Sequence, residues 1–546
     1  MNTLRKSRLI LAAIVLFGTT ASGEDRAIHC QTPGPCGATA LRAQDEPPNN
    51  RDAVFSIRGW DLGRYEPNQV PQWIREAKNH GINVITLSHD IVMDWPQILE
   101  DAGRAANIER WCAAGKRNSI EVFLWNHAIE KPPAEFVSGG ALDFDNPRLW
   151  EWLEGIYHRV IDTVPSTAGI VLSLTEAEWQ IHRGLHEPDY MNKRKTIRSE
   201  LPPEQRMARV IGTLHKALSS RGKKLIVRDF FRTPIEHDLF LKATESLPED
   251  IIIYTKHVPN DFHYAYPPNP TLGKYKNRNQ VMEIEPSVPG GADYYKTQYQ
   301  LARDRGLAGI IPRMRFGDPY RDFNNYCYNK LIHDPDADLE PMGKEYFGKL
   351  YGNQEAAEVA RRVLKRAFDV RNANTCTLGN WTGNSSKVPL PDYVDSHLEK
   401  QGLVLWTDDP KCVEIDRMLR EGGAKAVKQS VAEKKWAEEQ CLQCLKELEA
   451  SRPHFQPAQY KEIYELVDKY RKFSRSMAQW ARGYFAFRYY RNHSQDPQAK
   501  EDVEAALKAI REFIAAERPK DGLGDFAKAL QSEIAKIAPR RKTPGA

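Results

Sequence analysis

Between residues 53 and 316 the chain alternates eight times between a short apolar, β-prone run and a longer stretch with helical periodicity. Few folds accept that order. The strand candidates are Ala53–Trp60, Asn83–Ser88, Ile120–Asn126, Ala168–Thr175, Lys224–Phe230, Ile251–Lys256, Gln280–Glu285 and Gly309–Arg315. Most are unbroken runs of Val, Ile, Leu and Phe, as expected of strands buried on both faces of a parallel sheet. Between them lie Pro71–Asn79, Pro147–Thr163, Pro203–Arg221 and Tyr294–Arg305, several opening on a proline, whose missing N–H costs nothing in a first helical turn. Strict alternation over eight strands predicts an α/β fold, a closed (β/α)8 TIM barrel spanning 51–340, and not an open doubly wound sheet. No glycine-rich phosphate loop follows the first strand, which disfavours dinucleotide binding.

Beyond about residue 340 the texture changes. Lys344–Leu350, Glu355–Arg371, Ala424–Ala450, Pro457–Asn492 and Lys500–Glu517 are charged, amphipathic and poor in β-branched residues, which predicts a helical C-terminal domain over 341–546. Within it, 372–410 reads as a long irregular connection, and its Trp381 and Trp406 suggest packing over the barrel mouth. Amphipathic helices of this length leave a homodimer open.

The first 23 residues have the pattern of a signal peptide: Arg5, Lys6 and Arg8, then the apolar run Leu9–Phe17, then the small residues Ala21-Ser22-Gly23. The run is too short to span a bilayer. The expected mature protein is secreted or periplasmic and free of the membrane, with 24–50 as an N-terminal extension. Losing those three cations takes the net charge from +5 to +2. So small a surplus argues against a nucleic-acid partner, which would demand a concentrated basic face. The 8 Cys suit an oxidising compartment, and Cys441 and Cys444 alone do not make a zinc site. No cofactor is expected. A carbohydrate partner fits the 12 Trp, many near strand ends, where ring faces stack on sugar C–H patches.

In such a barrel the chemistry sits at the C-terminal strand ends and the loops beyond them. Strand four leads into Glu176 and Glu178, the strand-six loop carries Asp261, and strand seven carries Glu283 and Glu285. Carboxylates at three strand ends could supply the acid and base of glycosidic cleavage. Alternation puts Glu283 and Glu285 on the same side of their strand. Arg228 beside Asp229, Lys256 and His257, Arg313 and Arg315 are candidate substrate-binding groups, with Trp125 and His127 at strand three and His89 and Asp90 after strand two. Each carboxylate could instead simply pair with a neighbouring arginine.

The segment from about Ile120 to Asn372 resembles the glycoside hydrolase family 67 α-glucuronidases. It does so through Gly140-Ala141-Leu142-Asp143 with Asn146-Pro147-Arg148, Ile226-Val227-Arg228-Asp229-Phe230, and Lys256-His257-Val258-Pro259-Asn260-Asp261-Phe262-His263, then Asn279-Gln280-Val281-Met282-Glu283. Asn324-Asn325-Tyr326-Cys327-Tyr328 and His333-Asp334-Pro335 resemble the passage into that family's helical domain. The resemblance implies an inverting mechanism with an acid after strand four. That position falls on Ala177, and a one-residue shift assigns it to Glu176 or Glu178. It also implies Asp261 on the base side, and a strand-seven Glu that falls near Pro289, with Glu285 the nearest carboxylate. Arg228 matches an arginine that helps hold a uronate, whereas the lysine expected in strand four is Ser173. The family's N-terminal β-rich domain has no counterpart here.

The expectation is therefore a secreted glycoside hydrolase acting on an anionic, uronic or sulfated, sugar chain. Glu178 or Glu176 would protonate the leaving oxygen, and Asp261, with Glu285, would activate water. The alternatives are a catalytically inert carbohydrate-binding barrel and a polysaccharide lyase.

Overall fold

In the computed structural model the described residues are 54–63, 68–88, 91–182, 195–259, 264–275, 277–285, 290–314, 319–383 and 387–537. The candidate signal peptide, His89, Asp90, Asp261 and Arg315 lie outside them.

Eight parallel strands close into a barrel in chain order: β1 (Ile57–Leu62), β2 (Val84–Leu87), β3 (Glu121–Asn126), β4 (Gly169–Ser173), β5 (Lys224–Asp229), β6 (Ile252–Lys256), β7 (Gln280–Ile284) and β8 (Gly309–Met314), with β8 pairing back onto β1. The expected TIM barrel is present. The strands are trimmed at their ends: β1 begins at Ile57 because its first ladder partner on β8 is Gly309. β4 stops at Ser173, opposite Arg228, so Thr175 and Glu176 belong to the loop above the barrel.

Alternation gives each strand two jobs. Inward residues Val84, Phe123, Trp125, Val171, Ile226, Ile252, Tyr254, Val281 and Ile311 fill the interior as an apolar plug. Outward residues such as Ile85, Leu124, Leu172, Val227, Ile253 and Met282 pack under the surrounding helices. Gly169 and Gly309 open β4 and β8 because a Cβ there would lie 1.9 Å from the Lys224 carbonyl oxygen and 1.7 Å from that of Ile57. Only glycine lets these strand ends come so close.

The barrel helices follow the expected positions. Pro147–Thr163 is capped by the Asn146 side chain, which accepts from the Arg148 N–H, and has proline in its first turn. Residues Pro203–Ser219, Pro234–Glu245, Ala292–Asp304 and Pro319–Leu331 form further helices of the outer layer.

The C-terminal part is helical, dominated by Gly423–Ala450, Pro457–Asn492 and Pro497–Glu517. The apolar core runs without a break across residue 340, from the barrel helices through Phe347, Leu364 and Phe368 to Cys441, Leu448 and Tyr470. A second core around Trp480, Tyr484, Phe485 and Phe526 lies farther along the same long helix. Residues 372–410 are more ordered than expected. They hold the end of helix Ala367–Thr375, a hairpin of Cys376–Thr377 with Asn380–Trp381, and helix Pro391–Lys400. The cause is local: the buried Lys434 ammonium donates to the carbonyls of Ala373 and Cys376, and the Leu378 N–H donates to the Glu433 carboxylate. This segment packs beside the strand-five and strand-six ends. Tyr266 donates to the Gln401 carbonyl at 2.7 Å, and Trp406 meets His237 edge-on at 5.5 Å.

None of the six described cysteines is in a disulfide, and no described helix is long and apolar enough to cross a membrane.

Candidate active site

Above the apolar plug, the same inward alternation continues with charged and polar residues: Asp61, Thr86, Ser173, Arg228, Lys256, Glu283 and Arg313 are all buried there. A charge in such a place must be paired.

Arg228 is the hub. Its Nε and Nη2 donate to the two oxygens of Glu283 at 2.6 and 2.7 Å, and its Nη1 donates to Glu176 at 2.5 Å and to the Ser173 hydroxyl at 3.3 Å. Trp125 and Phe230 hold ring faces 5.0 and 4.4 Å from its guanidinium carbon. Burial works against the charge, but Glu283 and Glu176 outweigh it and raise the pKa further. Across the barrel Arg313 donates from Nε to Asp61 at 2.9 Å and from Nη1 to Glu285 at 3.4 Å. The Thr86 hydroxyl completes Asp61 at 2.6 Å. Both described arginines are therefore counter-ions to the barrel's own carboxylates.

That changes several expected roles. Arg228 is only 1% exposed, and with four of its five N–H donors engaged by Glu283, Glu176 and Ser173 it holds no open fork for a substrate anion. Glu283 is 0% exposed beneath the mouth, a partner of Arg228 and not a substrate ligand. Trp125 is also 0% exposed, part of the plug, so it cannot offer a ring face to a sugar. His257 follows Lys256 in the alternation and so turns outward, where its buried ring meets Tyr294 at 5.8 Å and Tyr264 at 6.2 Å. Lys256 points inward with its ammonium 3.7 Å above the Phe230 ring.

The carboxylates expected after strand four separate. Glu176 turns to the barrel axis, accepting from Arg228 and from the Ser173 hydroxyl at 2.9 Å, with His127 Nε2 3.7 Å away. Glu178 pairs with Lys195, which also hydrogen-bonds the Glu178 carbonyl through its own N–H at 2.9 Å. On the opposite rim Glu285 keeps a partly exposed carboxylate beside Arg313, while its carbonyl accepts from Tyr264 at 2.9 Å.

His127 joins the second strand loop to this network. Asp94 accepts from the His127 N–H at 2.8 Å and lies 2.9 Å from its Nδ1. Burial would lower the imidazole pKa, but Asp94 and Glu176 outweigh it and hold the ring protonated up to about pH 9. The Trp125 indole N–H sits 3.2 Å from the same Nε2. An indole only donates, so that contact is a hydrogen bond only when His127 is neutral.

Two acidic residues of the mouth, Asp94 and Glu130, are not among the sequence candidates, which in the strand-two loop stop at Asp90 and after strand three at His127. Asp94 lies seven residues beyond the end of β2. Glu130 closes a tight turn after β3, in which Ala128 and Lys131 adopt φ of 74° and 43°. The Tyr157 hydroxyl donates to the Asn126 side chain and the Ala128 carbonyl, and Trp95 donates to the Glu130 carbonyl at 3.1 Å. Glu130 is half-buried; burial first, then Asp94 and Glu178, push its carboxyl up to about 7. Two non-glycine residues at positive φ are a local signal, but one visible only in the backbone. Among the described residues no group of three His, Cys, Asp or Glu side chains is arranged to hold a metal ion.

No family model and no curated protein matches the chain. Among solved structures it is similar to a mutant of the Thermobaculum terrenum O-GlcNAc hydrolase, at 10% identity over 89% of this chain and 94% of that one, with a TM-score of 0.43. It is also similar to Dispersin B, at 11% identity over 51% of this chain and 98% of that one, with a TM-score of 0.32. Likeness at this level does not bear on substrate or chemistry.

Proposed function

We propose that this chain hydrolyses a glycosidic bond in a polysaccharide or an oligosaccharide derived from one. The observation that carries the proposal is the mouth of the barrel, where carboxylates stand on two rims above a floor of arginine-paired charge. Glu130, Glu176 and Glu178 follow β3 and β4, and Glu285 follows β7, the rim to which the sequence also assigns Asp261. Two carboxyl groups flanking a sugar bond are what glycoside hydrolysis requires, one donating a proton to the leaving oxygen and the other activating water. Glu176 lies between Arg228 and protonated His127, which favours its anion, so it suits charge stabilisation better than proton donation. The proton then enters from the outer β3–β4 rim beside Glu178, and Asp261 with Glu285 serves the water.

The filled arginines bear on the substrate. An acidic sugar held by Arg228 or Arg313 would compete with the carboxylates that they already neutralise. The uronic or sulfated sugar implied by the α-glucuronidase resemblance is therefore tested against neutral sugars, with the neutral ones expected to be cleaved at least as fast.

Product release from neutral, uronic and sulfated oligosaccharides, compared among wild type, Glu176→Gln, Glu178→Gln and Asp261→Asn, tests this directly. Turnover that collapses in Asp261→Asn and in at least one Glu variant supports the hydrolase, and proton NMR of the first-formed anomer reports inversion. Binding without cleavage of any glycan, or an unsaturated product absorbing in the ultraviolet, would replace it with the inert barrel or the lyase.

A further inference from the structure

We propose that Asp61, held by Thr86, is a positioning residue for the hydrolytic step: it shares the charge of Arg313 with Glu285, and so leaves Glu285 basic enough to take a proton from water. This rests on the hydrolase reading above and names what controls its base.

The four side chains form one chain across four neighbouring strands. In the ladder, Asp61 of β1 stands opposite Thr86 of β2 on one side and Arg313 of β8 on the other. Glu285 follows Ile284, the β7 residue paired with Pro312, and so stands level with Arg313. Alternation turns all four toward the barrel axis. The Thr86 hydroxyl donates to Asp61 Oδ1 at 2.6 Å, Arg313 Nε to Asp61 Oδ2 at 2.9 Å, and Arg313 Nη1 to Glu285 Oε2 at 3.4 Å. Thr86, Asp61 and Arg313 are buried, whereas the Glu285 side chain keeps 13% of its surface exposed. The chain thus runs from the dry interior to the rim.

The opposite side of the barrel repeats the plan, with buried Glu283, then Arg228, then Glu176 at the mouth. The two differ in grip. Arg228 gives Glu283 two bonds and still holds Glu176 at 2.5 Å, whereas Arg313 reaches Glu285 only at 3.4 Å, beyond the usual hydrogen-bond range. A carboxylate hard against a guanidinium is a poor proton acceptor, so Glu285 is the better base of the two. Asp61 sets that looser grip by drawing the Nε edge of Arg313 toward β1. Burial works against the Arg313 charge, but Glu285, Asp61 and Glu283 outweigh it and raise its pKa, so the cation persists at any working pH. The other charged groups in this layer, among the described residues, are Arg228, Lys256 and Glu176, while Tyr264 and Tyr295 direct their hydroxyls to the Glu285 backbone carbonyl.

The step balances without a cofactor. The water oxygen bonds to the anomeric carbon as the bond from that carbon to the leaving oxygen breaks, its electron pair staying on the leaving oxygen. The proton lost by water goes to Glu285, which returns it to solvent, and the leaving oxygen takes a proton from the β3–β4 rim.

The test reads the acid limb of the kcat/KM pH profile, using whichever of the neutral, uronic and sulfated oligosaccharides wild type cleaves best. Asp61→Asn keeps the shape and leaves the whole Arg313 charge to Glu285, so the limb should move down by about 1 pH unit. Asp61→Leu/Arg313→Met removes both charges together and should move the limb up by about 1 pH unit. A merely structural role would not shift the limb in opposite directions. Glu285→Gln should abolish it. A limb unmoved in Asp61→Asn, moved the same way in both Asp61 variants, or kept in Glu285→Gln would overturn the assignment while leaving the hydrolase standing. If no glycoside is cleaved at all, the hydrolase reading fails and Asp61 is still decided by chemical labelling. A water-soluble carbodiimide couples an amine to the protonated carboxyl, and peptide mass spectrometry locates the product at Glu285. The pH at half-maximal labelling should fall in Asp61→Asn and rise in the double variant, and unchanged midpoints refute the role.

Discussion

Replacing Arg228 with methionine tests the central physical claim about this barrel, that its inner arginines are counter-ions. The substitution keeps an unbranched apolar stem and removes a guanidinium that donates twice to Glu283, once to Glu176 and once to Ser173. The two carboxylates do not suffer equally. Glu176 is about a quarter exposed and can regain water, whereas Glu283 has no exposed side-chain surface. Breaking a buried pair from one side costs roughly 3–5 kcal/mol, because the orphaned charge is left without partner or water. Taking about 4 kcal/mol, the folded population falls close to a thousandfold relative to the unfolded. The loss should depend on pH in a stated direction. Without Arg228, the buried Glu283 carboxyl takes up a proton more readily folded than unfolded, so its pKa is raised in the folded variant. Stability of Arg228→Met is then highest below the ordinary carboxylate pKa of about 4.3 and falls as pH rises through the raised value. The gap from wild type therefore widens from pH 5 to pH 8. The double variant Arg228→Met/Glu283→Leu removes both charges and should recover most of the loss, since apolar replacement of a whole buried pair is often neutral. Urea unfolding followed by tryptophan fluorescence at both pH values measures all three proteins. A single-variant cost below about 1 kcal/mol, a gap indifferent to pH, or a double variant no better than the single would refute the counter-ion role.

His127 should make wild-type stability fall as pH rises from its unperturbed 6.5 through about 9, by up to ~3 kcal/mol, because the folded state holds the proton more tightly; His127→Gln should flatten that slope in thermal melts. Lys434→Met should cost ~3 kcal/mol by removing the partner of the partly buried Glu433 carboxylate and of the carbonyls of Ala373 and Cys376, and hydrogen exchange at the Leu378 amide should accelerate first. Gly309→Ala should destabilise by ~3 kcal/mol or more, since its Cβ meets the Ile57 carbonyl, a backbone atom no rotamer change can move; unchanged thermal midpoints would contradict the close strand approach at the barrel seam.

The eight strands were legible because strands buried on both faces have to be apolar throughout, and the helices because their periodicity and first-turn prolines are local properties. Residues 372–410 were not, because the hairpin at Cys376–Trp381 is ordered by Lys434 and Glu433, about fifty positions away in the chain. At the site, the sequence located acids after strands four and seven, and the structure puts Glu176 and Glu285 at the mouth. It could not show that Trp125 lies under the mouth, that His257 faces outward among tyrosines, or that Arg228 is already paired with Glu283 and Glu176.

What the chain determines alone is the list of strands and, by their alternation, which residues of each strand share a side. That information lies in hydrophobic period, set by backbone geometry one or two residues at a time. Which side of every strand became the interior, and which acid met which base across it, was decided by barrel closure. Arg228 and Glu283 are fifty-five residues apart, and Asp61 and Arg313 are 252 apart. Each pair forms because closing the sheet carries its members into one small, dry space, where an unpaired charge costs too much to persist.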